Sequence, residues 1–232
     1  MTNGHSAMSR IFCEANLTGY GTAMDTTRAG YDLILSEIPF GARVLDLGCG
    51  DGVLLETLRN LRKIDGYGVE LSAEGVSKCL EKGLYCYQGD IDDGLSDYRD
   101  NSFDYVILNQ TLQDVKKPQF VLQEIMRICH NAIISFPNLG YVTTRLHLLS
   151  RGTMPKNSLF PYDWYASPTI HFLSIRDFQN YCAKHDYPVR NERHFSLRPG
   201  GASRLIRVMP NLCAQYGFFI LNGRRFSSRK RT

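Results

Sequence analysis

Short apolar runs alternate with amphipathic segments along most of this chain. The runs have the length of buried strands, and the segments between them repeat apolar residues every three or four positions, as helices do. The predicted strands are residues 44–47, 64–71, 84–88, 103–108, 131–136, 189–197 and 216–221, and the predicted helices are residues 31–38, 53–58, 72–82, 118–126 and 175–185. This alternation predicts an α/β fold in which a mostly parallel, seven-stranded sheet carries helices on both faces.

The limits of this pattern predict how the chain is divided. Residues 1–30 form an N-terminal arm, in which positions 1–23 lack sustained periodicity and Met24 is an alternative start. Residues 31–222 are expected to form one domain, with an insertion at 139–173 after the fifth strand. Residues 223–232 form a basic tail.

Composition narrows the class of protein. The chain has 232 residues, is 43% hydrophobic and contains neither a signal peptide nor an apolar run long enough to cross a membrane, so we expect a soluble protein with no membrane partner. Its seven cysteines include no C-x-x-C pair, which fits neither a disulfide framework nor a zinc ribbon and favours the reducing cytoplasm. His171, His185 and His194 lack metal-ligand spacing, so no metal site is expected.

The small positive charge gives little indication of a partner. Part of the net charge of +4 comes from the basic cluster at 224–231. The cluster is short and carries serines, which is more typical of a solvated tail than of a nucleic-acid surface. We therefore expect no nucleic-acid partner.

A glycine-rich turn follows the first predicted strand and precedes a helix. Glycine permits positive φ angles and close approach of a ligand to the backbone. The spacing departs from the dinucleotide fingerprint, because Val53 occupies the place of the last glycine. Asp46 would repel a pyrophosphate but suits a ligand that bears an ammonium group. NAD is therefore the weaker alternative.

The same turn resembles motif I of the class I S-adenosylmethionine (SAM) methyltransferases. In that motif the acid equivalent to Asp46 lies near the methionine part of SAM, so the resemblance implies SAM or S-adenosylhomocysteine as the ligand. The turn contributes Gly48, Cys49, Gly50 and Gly52 to the predicted cofactor site. Cys49 is interpreted as a small residue that fits the turn and not as a nucleophile.

Acids also end the second and third predicted strands. Glu70 can accept hydrogen bonds from both ribose hydroxyls of a nucleoside, and Leu71 beside it joins the predicted cofactor site. The resemblance to SAM-binding proteins places Asp90 at the adenine amino group and Ile91 against the adenine ring. A solvated acid at Glu70 and a simple aspartate-rich turn at Asp90 are the alternatives.

The end of the fourth predicted strand should face the methyl acceptor. Asn109 and Gln110 are candidate contacts to a substrate or to the sulfonium, although loop amides bonded to the backbone are an equal alternative. The Pro-Pro-aromatic sequence of base and amide methyltransferases is missing here, which argues against nucleic-acid base methylation. Asn138, Tyr162 and His171 complete the candidate acceptor pocket, with His171 as either a base or a packed structural residue.

The insertion holds the single tryptophan of the chain within an aromatic cluster at 160–165. Such a cluster suits a lid over a ligand or a surface that binds a partner. A small satellite core that packs on the sheet is the alternative.

Several later motifs resemble the MetW family of methionine-biosynthesis proteins. They are residues 43–52, 88–90, 103–108, 110–113, 134–138, 151–155, 161–165 and 170–171. The resemblance spans about residues 31–221 and implies a class I, Rossmann-like fold with an antiparallel terminal strand pair. It also implies that the protein acts together with a homoserine O-acyltransferase of the MetX type. The chain lacks the G-x-S-x-G nucleophile elbow, so it is not itself expected to be that acyltransferase.

Two functions remain open at this point. In the first, the protein binds SAM or S-adenosylhomocysteine and activates or regulates the acyltransferase. In the second, it is a SAM-dependent methyltransferase that acts on a small metabolite or a protein side chain. A missing catalytic base does not exclude the second function, because the sulfonium is already activated and orientation can supply most of the acceleration.

Overall fold

A nine-stranded sheet forms the centre of the computed structural model, which describes residues 28–198 and 202–223. The strands are β1 Arg43–Leu47, β2 Asp65–Glu70, β3 Tyr85–Gln88, β4 Phe103–Asn109, β5 Cys129–Pro137, β6 Val189–Glu192, β7 Phe195–Leu197, β8 Ser203–Leu205 and β9 Tyr216–Asn222. The helices are α1 Tyr31–Glu37, α2 Val53–Arg62, α3 Ala73–Glu81, α4 Pro118–Ile128, α5 Val142–Arg151, α6 Ile175–Lys184 and α7 Pro210–Cys213. Most of the predicted N-terminal arm (1–27) and the tail after residue 223 lie outside the described residues.

The order of the strands confirms the predicted fold class. The sheet runs β3-β2-β1-β4-β5-β9-β7-β8, and β6 pairs with β9 as well. Strands β1 to β5 are parallel, whereas β9 is antiparallel to β5. The predicted antiparallel ending on a parallel sheet is therefore present. From β1 the chain continues to β2 and β3 on one side of the sheet, and from β4 it continues to β5 on the other side. A crevice therefore opens at the carboxyl ends of the neighbouring strands β1 and β4.

The number of strands differs from the predicted seven. The expected strand at 189–197 is divided into β6 and β7 at Arg193 and His194, and β8 adds a short hairpin partner to β7. The break between β6 and β7 has a local cause. The amide of Phe218 on β9 donates its hydrogen bond to Nδ1 of the His194 ring, across 3.4 Å, where a regular strand pair would use a backbone carbonyl. The His194 carbonyl instead accepts a hydrogen bond from the amide of Ile206, which follows β8.

Two apolar layers cover the faces of the sheet. Val44 and Ile107 face a layer built with α1, α2 and α3. Leu45 and Leu108 face the other layer, which includes α4 and α6. Central parallel strands are apolar on both faces because helices cover both of them. Asp46 has the same parity as Val44, so its carboxyl is buried on the first face.

Local capping residues fix where several helices begin. Ser72 caps α3 by accepting a hydrogen bond from the amide of Gly75, and Pro118 opens α4 at a position where no amide hydrogen is needed. Ser174 and Asp177 form a capping box at the start of α6. Across the part of the chain that the structure describes, no helix has both the length and the apolar character needed to traverse a bilayer.

Candidate functional site

A cavity of about 770 Å³ lies at the carboxyl ends of β1, β2 and β4, beneath the segment that follows α5. The predicted site residues that line it are Asp46, Gly48, Cys49, Gly50, Glu70, Leu71, Asp90, Ile91, Asn109, Gln110 and Tyr162. Residues 154–156, 158–164, 167–169 and 172 of the insertion form the opposite wall. The volume is within the range of small-molecule and cofactor sites.

The glycine turn forms the floor of this cavity. Gly48 and Cys49 donate their amide hydrogen bonds to the carbonyl of Val69 on β2, at 2.8 and 3.2 Å. Gly48 and Gly50 have φ angles of +73° and +56°, which side chains with a Cβ rarely adopt. A Cβ at Gly50 would meet no other atom within 4 Å, so the space above this residue is open. The backbone of the turn is therefore accessible to a ligand.

Glu70 closes the turn from β2. Its two carboxylate oxygens accept hydrogen bonds from the amides of Gly50, at 2.8 Å, and Ser72, at 2.9 Å. These contacts fix the side chain at the rim of the cavity. A carboxylate has about four acceptor sites, so two remain for hydroxyl groups of a ligand.

Asp46 is a buried acid at the end of β1. Burial raises the pKa of its carboxyl from the usual 3.8 to about 7, and the negative charge of Glu70 adds to the rise. Within the described residues, the carboxyl has no hydrogen-bond donor. A ligand cation in the cavity would supply the missing partner and lower this pKa.

Asp90 and Ile91 lie at the end of β3. Asp90 accepts a hydrogen bond from the amide of Asp92 at 2.9 Å, and its other oxygen lies 3.7 Å from Nζ of Lys116. Ile91 is buried at the cavity wall, and Leu71 is largely exposed beside it. An acid next to an apolar surface can bind the amino edge and the face of a purine.

Asn109 and Gln110 end β4, where they line the cavity and also hold the backbone around it. The Asn109 side-chain oxygen accepts a hydrogen bond from the hydroxyl of Ser135. Gln110 donates from its side chain to the carbonyl of Ala29 at 3.4 Å, and its own φ is +55°. Both residues therefore have partners in the protein as well as access to the cavity.

Three predicted site residues do not line the cavity. Asn138 is fully buried, and its side chain bonds to the backbone of Gly140, Ile175, Asn211 and Ala214. It joins the loop after β5 to the start of α6 and to α7, and it does not line the cavity. Gly52 caps α2, and a Cβ there would strike Leu84 and Cys79.

His171 is the third of these residues. Its amide donates a hydrogen bond to the carbonyl of Gln113 at 2.9 Å. Its ring nitrogen Nε2 is buried and has no hydrogen-bond partner among residues 28–198 and 202–223. His171 is partly exposed and does not line the cavity.

Several residues that line the cavity were not predicted from the sequence. Gln113, Asp114 and Thr169 line the cavity, and so do Arg28 and Tyr31 from the start of the described chain. Burial raises the pKa of the Asp114 carboxyl, and a hydrogen bond from Thr169 offsets part of the rise. In the sequence, the one sign of this part of the cavity wall was Asp114, the acidic residue directly after the 110–113 motif.

The aromatic part of the insertion surrounds the mouth of the cavity. Tyr162 and Trp164 line it and are also largely exposed. Tyr165 is 74% exposed, packs edge-on against Trp164 with ring centroids 5.7 Å apart, and does not line the cavity. This observation favours the lid or partner surface over a satellite core.

Comparisons with known proteins identify the family of the chain. Residues 28–221 match the family model of the methionine biosynthesis protein MetW. A bifunctional methionine biosynthesis protein MetXA/MetW from Rhodopirellula baltica is 37% identical over 164 residues, which cover 67% of this chain and 26% of the relative. The chain thus spans about a quarter of the length of that relative.

Solved structures share the fold at low sequence identity. A SAM-dependent methyltransferase from Thermotoga maritima is 14% identical, with a TM-score of 0.62 over 94% of this chain and 95% of that one. One from Mesorhizobium loti is 16% identical, with a TM-score of 0.61 over 86% of this chain and all of that one. These neighbours establish a class I methyltransferase fold, and the family match, which covers most of the chain, shows that the chain belongs to the MetW family of methionine biosynthesis proteins.

Proposed function

We propose that this protein binds SAM or S-adenosylhomocysteine in the cavity and acts with a homoserine O-acyltransferase of the MetX type as an activating or regulatory partner. The observation that carries the proposal is the open glycine turn, which is flanked in the cavity by Asp46, Glu70 and Asp90. The partner role is supported by a relative whose name joins MetXA and MetW in one protein. The free cysteines of the described residues favour the cytoplasm as its location.

The residues present fit this ligand. Asp46 lacks a donor within the described residues and would pair with the α-ammonium of the methionine part. Glu70 has acceptor sites left for the ribose hydroxyls. Asp90 would accept from the adenine amino group while Ile91 packs on the ring. When bound, SAM supplies an activated methyl group, and S-adenosylhomocysteine does not.

The exposed aromatic residues of the insertion support docking of the acyltransferase at the cavity mouth. Tyrosine and tryptophan are enriched among the residues that contribute most to binding at protein interfaces. Because Trp164 both lines the cavity and reaches the surface, a ligand and a partner would contact the same side chain. Such shared contact allows bound SAM to change the affinity for the partner.

The expected result in an assay of homoserine acylation is a higher yield with this protein than with the cognate MetX-type acyltransferase alone. Added SAM should change that yield about fivefold, at the lower end of known couplings between sites. Acyl-homoserine is measured with and without the protein and with and without SAM. An unchanged yield in all four reactions would refute the partner role.

A matched pair of tyrosine variants separates the docking surface from the cofactor site. Tyr165→Ala should weaken association with the acyltransferase about thirtyfold, the effect of a typical interface hot spot. Tyr85→Ala on β3 is the control, since Tyr85 is 72% exposed and Tyr165 is 74% exposed. Both variants should keep the SAM-induced thermal shift. If both variants bound the acyltransferase equally well, the docking surface would lie elsewhere on the protein.

Methyl transfer is the second candidate function, and the acceptor side of the cavity favours it. Oε1 of Gln113 and Oδ1 of Asp114 are buried without a hydrogen-bond partner among the described residues. Such atoms could orient the donor groups of an amine or hydroxyl acceptor. This observation does not depend on any partner protein.

Release of S-adenosylhomocysteine from SAM in the presence of metabolite mixtures tests this function. If transfer occurs, Asp114→Asn should slow it about a hundredfold, a typical contribution of a positioned acid or base. Asp97→Asn, at an exposed position, is the control. Turnover that is equal in both variants would remove Asp114 from the mechanism, and no turnover with any mixture would favour the regulatory role.

A further inference from the structure

Three thiols converge beneath the glycine turn. Sγ of Cys49 lies 3.5 Å from Sγ of Cys86 and 3.8 Å from Sγ of Cys79. All three sulfur atoms lie within 4.8 Å of one another. Among residues 28–198 and 202–223, this is the one place where three histidine, cysteine or acidic side chains come together in this way.

The fold brings these cysteines together from three separate elements. Cys49 belongs to the turn after β1, Cys79 to α3 and Cys86 to β3. Glycines leave the space that the sulfur atoms occupy. A Cβ at Gly68 would lie 2.6 Å from Sγ of Cys49, and a Cβ at Gly52 would lie 2.7 Å from Sγ of Cys79. The cluster is therefore built into the backbone of this region.

The sulfur separations match those of a metal–thiolate centre. A zinc–sulfur bond of about 2.3 Å with tetrahedral angles sets neighbouring sulfurs about 3.8 Å apart. Two of the three separations here are 3.8 and 3.5 Å, so little movement would be needed. We propose that Cys49, Cys79 and Cys86 bind one zinc ion through three thiolates, with water in the fourth position on the side where Cys86 is partly exposed.

Zinc binding at this cluster has a defined proton and charge balance. Burial raises the pKa of the Cys79 thiol to about 11 and that of Cys49 further, so these two thiols are neutral without metal. One zinc ion would displace three protons to solvent and leave a net charge of −1. The Lys82 ammonium, which donates to the carbonyl of Asp51 at 2.5 Å, partly compensates this charge, whereas Asp46 opposes it.

The site goes beyond the function proposed for the cavity and does not depend on it. Cys49 lines the cavity, but Cys79 and Cys86 do not. Zinc would tie the cofactor turn to α3 and β3, whatever ligand the cavity holds. The sequence predicted no metal site, because the ligands are 30 and 7 residues apart and form no familiar spacing motif.

The test is a titration of the reduced, full-length protein with zinc against a chromophoric chelator. We expect the wild type to take up one equivalent of zinc and to release about three protons. Cobalt in place of zinc should give a sulfur-to-metal charge-transfer band. Cys79→Ala and Cys86→Ala should each weaken zinc binding about a hundredfold or more, because loss of a ligand costs at least as much as loss of an outer-shell contact.

Cys213→Ala is the control, because Cys213 is an exposed free thiol outside the cluster. It should bind zinc as the wild type does. Circular dichroism checks that each variant is folded, and the proton count on the wild type does not depend on any variant. Failure of the wild type to take up zinc, or binding of equal strength after loss of Cys79 or Cys86, would overturn the proposal.

Discussion

Gly50→Val is expected to abolish the thermal stabilisation that SAM gives the wild-type protein. The new side chain would enter the open space above the turn, where the ligand must approach the backbone. At a SAM concentration of about 100 times Kd, binding should stabilise the wild type by about 2.7 kcal/mol. For a chain of this size, that corresponds to a rise in Tm of about 5 to 11 °C. The measurement is the Tm of both proteins with and without SAM.

Gly41→Val is the matched control for this variant. Gly41 has a φ of +73°, compared with +56° at Gly50, and a Cβ at either position meets no atom within 4 Å. Both variants therefore place a branched residue in strained backbone, but Gly41 lies in the loop before β1 and does not line the cavity. Gly41→Val should lower the Tm and still respond to SAM. A full SAM response from Gly50→Val would mean that the ligand binds elsewhere.

Asp46→Asn is expected to stabilise the ligand-free protein at pH 8 and to remove most of its response to SAM. Because folding raises the Asp46 pKa from 3.8 to about 7, the native state binds more protons than the unfolded state between these values. The free energy of unfolding therefore falls as the pH rises through this window and levels off above pH 7. Ionisation of the buried Asp46 carboxyl lowers the free energy of unfolding of the wild type by about 4 kcal/mol. This is an upper limit for the stability that Asp46→Asn would gain, because the new amide is also buried.

The pH dependence distinguishes this effect from a general change in packing. Wild type and Asp46→Asn should have similar Tm values at pH 4 and differ most at pH 8. Asp93→Asn, at an exposed position, is the control and should follow the wild type at every pH. If Asp46→Asn were less stable than the wild type at pH 8, the carboxylate would have a stabilising partner and the assignment of the ammonium to this site would fail.

The residues at the strand-end side of the cavity could be located from the sequence because their signals are local. A buried strand, a glycine turn and an acid at the end of the next strand are each visible within a few residues. Parallel strands bring their carboxyl ends to one edge of the sheet, so Asp46, Glu70 and Asn109 necessarily meet there.

The opposite side of the cavity depends on contacts that a linear pattern does not show. Asn138 resembles a polar residue at a site, yet its amide satisfies backbone carbonyls 73 and 76 residues away. The wall near Asp114 is completed by Thr169 from the insertion, which has no periodicity to reveal its path. The same limit applies to the break between β6 and β7, where the ring of His194 takes the place of a backbone acceptor.

The short outer strands of the sheet restrict how another protein can bind. The outermost strands are β3, with four residues, and β8, with three. Strand β6, which pairs with β9 as β7 does, has four residues. Exposed backbone of that length offers few hydrogen bonds for an added strand from another chain. A partner would therefore bind through side chains, and its affinity would depend on a few large residues and not on continuation of the β-sheet. Substitutions in an acyltransferase that affect binding should then cluster in a pocket that receives an aromatic ring.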